Sequence, residues 1–422
     1  MSGGGDRILV ASHSHPAITK GGGEIAAWRL FEALSERSPE RTWFMGCARD
    51  GMGRLGSVIT QPFSEREFLY NCGNFDWFKF ANRDPAYPAA LADVLRETRP
   101  DILHFHHYMN FGVETFLHIR RVLPDARIVL TLHEFQALCN HYGQMVTRAT
   151  RSLCHQSVPR DCVRCYPEFS RADFFLRRAY VLRFFALVDM FVSPSHFLAE
   201  RYVRWGIPEA RMRVIENVTA PASADESRVP QDQPGALRVG FFGQISALKG
   251  IQVLFDAARI LDEEDAGGIQ FDIYGDYSGQ PEEFQSDFLQ RLGRAGHNVH
   301  YHGPYENQAV DRLMRGVDVV LLPSIWWENS PVVIEEALRN RQPVICADIG
   351  GMAEKIRPGV DGLHFPVGDT VALVALLRGL AREPGKLASL RQTMRRPAAP
   401  EATVAKHLDL YAALRAQPAA AA

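Results

Sequence analysis

Short apolar runs rich in Val, Ile and Phe alternate with longer segments of helical periodicity along most of the chain. The runs cover residues 7–12, 41–46, 101–106, 127–132 and 189–193 in the first half, and residues 237–243, 269–275, 298–303, 318–322 and 342–347 in the second. Strands that alternate with helices build parallel, doubly wound sheets. The sequence therefore predicts an α/β protein in which one Rossmann-like architecture occurs twice.

A segment without periodicity separates the two series. Residues 219–236 are rich in Pro, Ala and charged residues, which is typical of an interdomain linker. We predict a first domain over 1–218, a second over 237–385, and C-terminal helices and a tail over 386–422, whose return to the first domain stays open. Two domains suit a length of 422 residues, since one domain usually has about 100–200.

Composition narrows the range of partners. The 47 Lys and Arg residues nearly balance the 49 Asp and Glu residues, so no large field of one sign points to nucleic acid. The first apolar run is too short for a signal peptide, and no stretch approaches the roughly 18 apolar residues of a spanning helix. We expect a soluble, cytoplasmic protein. Weak peripheral contact with the inner face of a membrane stays open, because residues 173–185 mix aromatic residues with arginines.

Two glycine-containing loops suit the binding of phosphate. Gly22 and Gly23 stand directly before a predicted helix over 24–34, where backbone N–H groups can approach an anion. In the second half, GQISALKG places Gly243 and Gln244 at a strand end and Lys249 just before the next helix. Taken alone, the glycines before the first helix are more often a flexible turn, and Lys249 is better explained as a solvated loop lysine. The chain has neither GxGxxG nor a Walker loop, so redox dinucleotide and P-loop chemistry lose their usual support.

Paired carboxylates follow in WWENSPVVIEEAL. Ser330 fits an N-cap and Pro331 the first helical position, so Glu336 lies in the second turn and Glu328 in the preceding loop. The helix amides and these carboxylates suit phosphates and sugar hydroxyls respectively. A solvated helix end with glutamates that complement its dipole is an equally good interpretation of this segment alone.

The order of these elements resembles the retaining glycosyltransferases of family 4, also called glycosyl transferases group 1, which have the GT-B fold. The matching motifs are GGGE, TLHE, FFGQISALKG, IYG, VHYHGPY, PSIWWENSPVVIEEAL and PVICADIGGMAE. The resemblance implies two Rossmann-like domains facing each other across a cleft. It also implies a sugar transferred from a nucleotide diphosphate donor to a saccharide or lipid-linked acceptor, in the setting of polysaccharide or glycolipid biosynthesis.

The resemblance also assigns roles to residues. Glu328 would face the donor sugar, His133 would lie under that sugar, and Lys249 would neutralise the departing diphosphate. The donor-binding set comprises Gly22, Gly23, Gly243, Gln244, Lys249, Gly275, Tyr305, Glu328, Asn329, Ser330, Pro331, Val332 and Glu336. Many members carry Arg where this chain has Gln244, so Lys249 would bear more of the diphosphate charge. No metal cofactor is required for such catalysis, because preorganised cations and amides stabilise the charge.

Two other classes of function stay open. His104 and His106 share one face of a predicted strand, and with His133 they could mark a metal-dependent hydrolase. We rank this lower, because it leaves the second half unexplained, and we favour a hydrogen-bonded core role for His104. The other alternative is a sugar-nucleotide binding protein without catalysis. Donor base, donor sugar, acceptor, linkage and oligomeric state cannot be inferred from the sequence.

Cysteines and aromatic residues mark two irregular regions. Cys139, Cys154, Cys162 and Cys165 cluster in a strand-poor region and end in CxxC, which suggests a structural zinc ion at about even odds against free or partly oxidised thiols. Residues 51–88 form an aromatic-rich insertion that is either part of an acceptor site or a local satellite core.

Overall fold

The chain folds into two compact units, described in a computed structural model for residues 5–19, 21–49, 57–221, 235–263 and 268–417. The first unit is Met1–Ala220 with Ala398–Ala422, and the second is Pro221–Pro397. Most of the predicted linker, residues 219–236, lies outside the described residues. The second unit extends beyond the predicted boundary at 385 because helix 384–393 packs within it.

The first unit is built on a sheet that contains, in its described part, eight strands in the order β10-β9-β8-β7-β1-β2-β4-β3. Its strands and those of a small hairpin (β5 and β6) are β1 (Ile8–Ala11), β2 (Thr42–Ala48), β3 (Ile59–Thr60), β4 (Glu67–Asn71), β5 (Phe75–Asp76), β6 (Ala81–Asn82), β7 (Ile102–Phe105), β8 (Arg127–Thr131), β9 (Met190–Ser193) and β10 (Met212–Val214). The neighbours in this sheet pair in parallel, except β3, which is antiparallel to β4. The predicted parallel sheet is confirmed.

Helices cover this sheet. They are α1 (Gly22–Arg37), α2 (Tyr87–Thr98), α3 (Thr115–Val122), α4 (Pro159–Cys165), α5 (Arg171–Phe185) and α6 (His196–Trp205). The strands β1, β7 and β8 are buried along their whole length, which explains why they appear as continuous apolar runs in the sequence.

The second unit has a sheet whose described strands run β13-β12-β11-β14-β15-β16, all in parallel. Its strands are β11 (Leu237–Phe242), β12 (Ile269–Tyr274), β13 (Val299–Gly303), β14 (Val319–Leu322), β15 (Val344–Ala347) and β16 (Gly362–Phe365). Its helices are α7 (Ile251–Glu263), α8 (Glu282–Arg294), α9 (Val310–Arg315), α10 (Val332–Arg339), α11 (Gly350–Lys355), α12 (Thr370–Arg382) and α13 (Pro384–Thr393). The predicted α/β class with two parallel-sheet domains is therefore confirmed.

The last helix, α14 (Pro400–Arg415), belongs to the first unit. Its buried residues Val404, Tyr411 and Leu414 share a core with Leu30 and Leu34 of α1. The core of the first unit therefore combines the beginning and the end of the chain.

The aromatic insertion is mainly structural in its described part, which excludes residues 51–56. Phe68 and Tyr70 are buried in β4 of the main sheet, and Phe78 stacks on Phe169 with ring centroids 4.0 Å apart. Trp77 is 41% exposed. A satellite core explains these residues better than an open acceptor surface.

No helix in the described part of the chain is both long and apolar enough to cross a membrane.

Candidate active site

Two loops at the carboxyl ends of neighbouring strands bring Lys249 and Glu328 together. The strands β11 and β14 pair in parallel, and the N–H of Ile325 donates to the carbonyl of Leu248, 2.9 Å away, which joins the loops that follow them. Lys249 Nζ lies 2.6 Å from Glu328 Oε1. The structure thus places two predicted catalytic residues in one ion pair at the edge of the sheet where open α/β sheets bind ligands.

Further donors hold the Glu328 carboxylate. Ser324 Oγ donates to Glu328 Oε1 at 2.9 Å, and Trp326 Nε1 donates to the same oxygen at 3.1 Å. Glu328 is 7% exposed, whereas Lys249 keeps 31% of its side chain exposed. Burial argues against a solvated glutamate that only complements a helix dipole. Ser324 was not among the predicted residues, because its spacing from Glu328 acquires meaning only in the folded loop.

Glycines allow the backbone to approach closely around this pair. A Cβ on Gly250, whose φ is +73°, would lie 1.9 Å from the carbonyl oxygen of Pro323. A Cβ on Gly351 would lie 1.5 Å from the carbonyl oxygen of Asn329. Gly351 N–H donates to the backbone carbonyl of Glu328 at 2.8 Å. The backbone beside Glu328 is therefore held from both sides.

The predicted start of the helix after Glu328 is wrong by one residue. The helix α10 begins at Val332, and Pro331 is its N-cap residue with ψ 121°, which lies outside the helical region. Ser330 therefore does not occupy the N-cap position. The amides of Val332 and Val333 open the helix, beside Asn329, which is 9% exposed.

Two adjacent glutamates of α10 have different roles. Glu335 forms ion pairs with Arg395 at 2.8 Å and with Lys355 at 3.5 Å, which fixes it within the fold. Glu336 is 9% exposed, and its charge adds to burial in raising the pKa of Tyr305 above its usual value. Glu336 and Tyr305 of the predicted donor-binding set therefore lie close together.

Aromatic rings continue the surface from Tyr305. Phe242 stacks on Tyr274 with centroids 4.8 Å apart, Tyr274 stacks on His302 at 4.4 Å, and Tyr305 meets Phe242 edge-on at 6.0 Å. Sequence inspection missed this ladder, because its rings come from three strands and a loop.

The predicted glycines Gly243 and Gly275 belong to the same strand ends. A Cβ on Gly275 would lie 1.9 Å from the carbonyl oxygen of Gly243, so close packing of the strand ends requires glycine there. Gln244 is exposed at the same edge.

In the first unit, His133 lies against the start of α1. His106 Nδ1 and His133 Nε2 are 2.9 Å apart, and a Cβ on Gly23 would be 3.6 Å from the His133 ring. The helix α1 begins at Gly22 rather than at Glu24, so the predicted loop glycines form its first turn. Without side chains, these glycines let the helix end approach His133.

A second polar pair completes this region. His13 Nε2 lies 3.3 Å from Glu24 Oε1, and Thr19 Oγ1 donates to the same carboxylate oxygen at 2.7 Å. Burial opposes ionisation of Glu24, but the hydrogen bonds and the charge of His13 outweigh it and hold the pKa at about 2. Burial raises the pKa of Glu134, which lies 3.2 Å from His107 Nε2, to about 8. The sequence analysis assigned no role to either glutamate.

The low pKa of Glu24 predicts acid sensitivity of the first unit. Because the folded pKa lies below the usual 4.5, Glu24 contributes stability above pH 4.5 that is lost as the pH falls to about 2. Between these pH values, the unfolding free energy of Glu24→Gln should therefore decrease by about 2–3 kcal/mol less than that of the wild type. Urea unfolding at a series of pH values measures this difference. Glu32→Gln, an exposed change on the same helix, is the control. Equal acid profiles for wild type and Glu24→Gln would contradict the assignment.

The histidines do not support the metal-dependent hydrolase. His104 is fully buried and uses both ring nitrogens, with Tyr411 OH at 2.6 Å and Thr131 Oγ1 at 2.7 Å. His106 and His133 bond to each other. Within the described residues, no group of three or more His, Cys, Asp or Glu side chains is arranged to hold a metal ion. The interpretation of His104 as a hydrogen-bonded core residue is confirmed.

The four clustered cysteines lie around one cavity and are not joined by disulfides. In the described part of the chain they do not form a preformed metal group, so the assignment of Cys139, Cys154, Cys162 and Cys165 as zinc ligands stays a prediction.

Comparison with known protein families covers most of the chain. Residues 20–222 match the model described as Glycosyltransferase Family 4, and residues 236–383 match the model described as Glycosyl transferases group 1. A D-inositol 3-phosphate glycosyltransferase of Rhodococcus erythropolis is 29% identical over 91% of this chain and 85% of its own length. The amylovoran biosynthesis glycosyltransferase AmsK of Erwinia amylovora is 27% identical over 47% of this chain. The alignment spans about half the length of AmsK, 49%.

Solved structures with the same fold include glycosyltransferases. Sucrose-phosphate synthase of Thermosynechococcus elongatus aligns over 97% of this chain and 99% of its own, with a TM-score of 0.71 and 17% identity. HepE of Anabaena, in complex with UDP and glucose, aligns over 96% and 99% with a TM-score of 0.63 and 15% identity. At these identities the likeness shows the fold, which is GT-B.

Proposed function

Because this chain belongs to the family 4 glycosyltransferases, with a group 1 domain in its second half, we propose that it transfers a hexose-type sugar from a nucleotide diphosphate donor. The proposed acceptor is a saccharide or a lipid-linked molecule. The transfer proceeds with retention at the anomeric carbon. We place this reaction in the cytoplasm, in polysaccharide or glycolipid biosynthesis.

The observation that carries the proposal is the pair of Lys249 and Glu328. When the bond between sugar and diphosphate breaks, negative charge grows on the departing phosphate, and a preorganised cation lowers that barrier. Lys249 is a partly exposed cation paired with Glu328, which lies in the loop just before α10. Glu328 is held by Ser324 and Trp326, so its carboxylate can keep its orientation toward the sugar when Lys249 turns to the phosphate.

The remaining residues are assigned by proximity to this pair. We propose that Glu336 accepts hydrogen bonds from the donor ribose and that the aromatic surface around Tyr305 lies beside the nucleotide. His133 stays a predicted contact of the donor sugar. No metal ion is assigned a catalytic role, because lysine and helix amides supply the positive charge at the phosphate.

The test is a panel of UDP-, GDP- and ADP-sugars. HepE is described with UDP-glucose and starch synthase IV of Arabidopsis thaliana with ADP, so these nucleotides belong in the panel. We expect one donor to bind best, and Glu336→Ala to weaken its binding by about 10- to 100-fold, because a buried acceptor for ribose hydroxyls is lost. Isothermal titration gives the affinities, and NMR of the product gives the anomeric configuration.

Glu282→Ala, an exposed change on α8, is the matched control and should leave donor binding unchanged. Binding of no nucleotide sugar, or equal binding by wild type and Glu336→Ala, would refute the donor assignment. An inverted product would refute only retention.

A lipid-linked acceptor would bring the enzyme to a membrane surface. On α5, Phe175 is 62% and Leu176 56% exposed, and exposed Arg178 and Arg183 lie on the same helix. We therefore propose weak contact with anionic lipid through this face of the first unit. Running the transfer assay with a lipid-linked acceptor in anionic vesicles, for wild type and Phe175→Ser, tests it; equal rates would refute the contact.

A further inference from the structure

The segment between β8 and α5, residues 132–170, has little regular secondary structure of its own. In the described structure it holds the seven-residue helix α4 and an isolated bridge between Val146 and Leu153. Tyr142, Met145 and Arg151 have positive φ values of 49°, 51° and 53°. Its backbone hydrogen bonds are mostly those of local turns, such as Gly143 N–H to the carbonyl of Cys139 at 3.1 Å, so side-chain links between distant parts of the segment can add to its stability.

Hydrogen bonds bring its four cysteines toward one place. The N–H of Cys154 donates to the carbonyl of Met145 at 2.7 Å, which closes the loop between these two residues and brings Cys154 back toward the chain that follows Cys139. Tyr166 OH donates to the carbonyl of Asn140 at 3.2 Å and so joins the neighbours of Cys165 and Cys139.

Within α4, Cys162 and Cys165 are spaced i and i+3, so they lie one above the other on the helix. All four cysteines line one pocket, together with His141 and Asp161.

We propose that Cys139, Cys154, Cys162 and Cys165 bind one structural zinc ion. Zinc prefers tetrahedral sulfur ligands, and a closed set of four thiolates is a common structural site. Binding releases four protons from the four thiols and leaves a complex of net charge −2. Arg177 and Arg201 interact electrostatically with Cys162 and Cys154 respectively, and offset part of that charge.

The ion itself must draw the thiols together. The four cysteines are free, and in the described residues they are not already grouped as a metal site. The chain therefore has the ligands on one cavity wall, and rotation of cysteine side chains toward a common centre completes the site.

The proposal gives this segment a defined role. It begins directly after β8, contains His133 and ends at α5. A zinc cross-link between its two halves would hold it against the first sheet in place of an extended secondary structure. Nothing in this inference depends on the donor, the acceptor or the transfer reaction.

The test uses the full chain, purified without a polyhistidine tag. Metal content by plasma mass spectrometry should show about one zinc per chain for wild type and for the control Cys346→Ala, whose cysteine lies in the second unit. The double variant Cys162→Ser, Cys165→Ser should lose at least about nine-tenths of the zinc. Titration of metal-free wild type with Co²⁺ should give the absorption of tetrahedral thiolate coordination, which no histidine or carboxylate site produces.

Either of two results would overturn the proposal. One is a wild-type protein in which the thiols of Cys139, Cys154, Cys162 and Cys165 are free and which binds no zinc after incubation with stoichiometric Zn²⁺. The other is wild type in which mass spectrometry finds these cysteines paired in disulfides. Because the Co²⁺ titration uses the wild-type protein, it tests the proposal even if the double variant misfolds.

Discussion

Replacement of Lys249 by alanine is expected to lower kcat by about 10²- to 10³-fold, since it removes the cation that meets the charge of the departing diphosphate. The proposed donor contacts with Glu336 and the aromatic surface would remain, so binding of the donor should weaken less than kcat falls. Steady-state transfer with the best donor of the panel, together with titration of that donor, measures both effects.

The fold should survive this change. Glu328 keeps its hydrogen bonds from Ser324 and Trp326, and the Lys249 side chain is partly open to solvent. Lys386→Ala is the control, because that lysine is exposed on α13, where it pairs with the exposed Glu383. A Lys249→Ala enzyme that retains at least a third of the wild-type kcat would contradict the role assigned here, and with it the observation on which the proposed function rests.

Replacement of Arg177 by methionine is expected to lower the unfolding free energy of the first unit by about 3–5 kcal/mol. This guanidinium is buried and donates to the carbonyls of Phe78, Gln136 and Ala137, each at 2.6 Å. Methionine fills much of the volume but leaves these carbonyl oxygens without their donors, and each buried unsatisfied group is costly. Urea unfolding followed by tryptophan fluorescence measures the loss.

Arg183→Met on the same helix provides the matched control, because Arg183 is exposed and a surface change is usually worth less than about 0.5 kcal/mol. Equal losses for the two variants would show that Arg177 is not the anchor of α5. The two variants also distinguish Arg177 from Arg183, which have similar sequence surroundings. Of the two, Arg183 is exposed and can contact a membrane, whereas Arg177 is buried.

The main elements could be predicted because buried parallel strands have no polar face. Strands such as β1, β8 and β14 appear as continuous apolar runs, and the alternation with helices followed from their spacing. The strands β3, β5 and β6 have two residues each, too few for any periodicity. The start of α1 was misplaced because glycine disfavours helix interiors, whereas Gly22 and Gly23 occupy a first turn where close approach matters more than propensity.

In the candidate site, too, some residues could be predicted from the sequence and others could not. Lys249, Glu328 and Glu336 stood out through motif spacing, and the structure brings the first two into contact. Ser324 and Trp326 could not be assigned, because only the folded loop turns both toward one carboxylate oxygen. The buried position of Arg177 could not be predicted, since its partners are backbone carbonyls distant in sequence, and carbonyls leave no trace in residue type.

The position of α14 has a consequence for how the molecule is made. Tyr411 reaches His104 at the centre of the first sheet, and neighbouring α14 residues complete the core against α1. A ribosome synthesises these residues after the entire second unit. Core residues of α1 such as Leu30 and Leu34 therefore lack their α14 partners for the length of time needed to synthesise Pro221–Pro397. A nascent chain that stops before α14 therefore exposes part of the core of the first unit. Chaperones that recognise apolar surface can bind it during this interval.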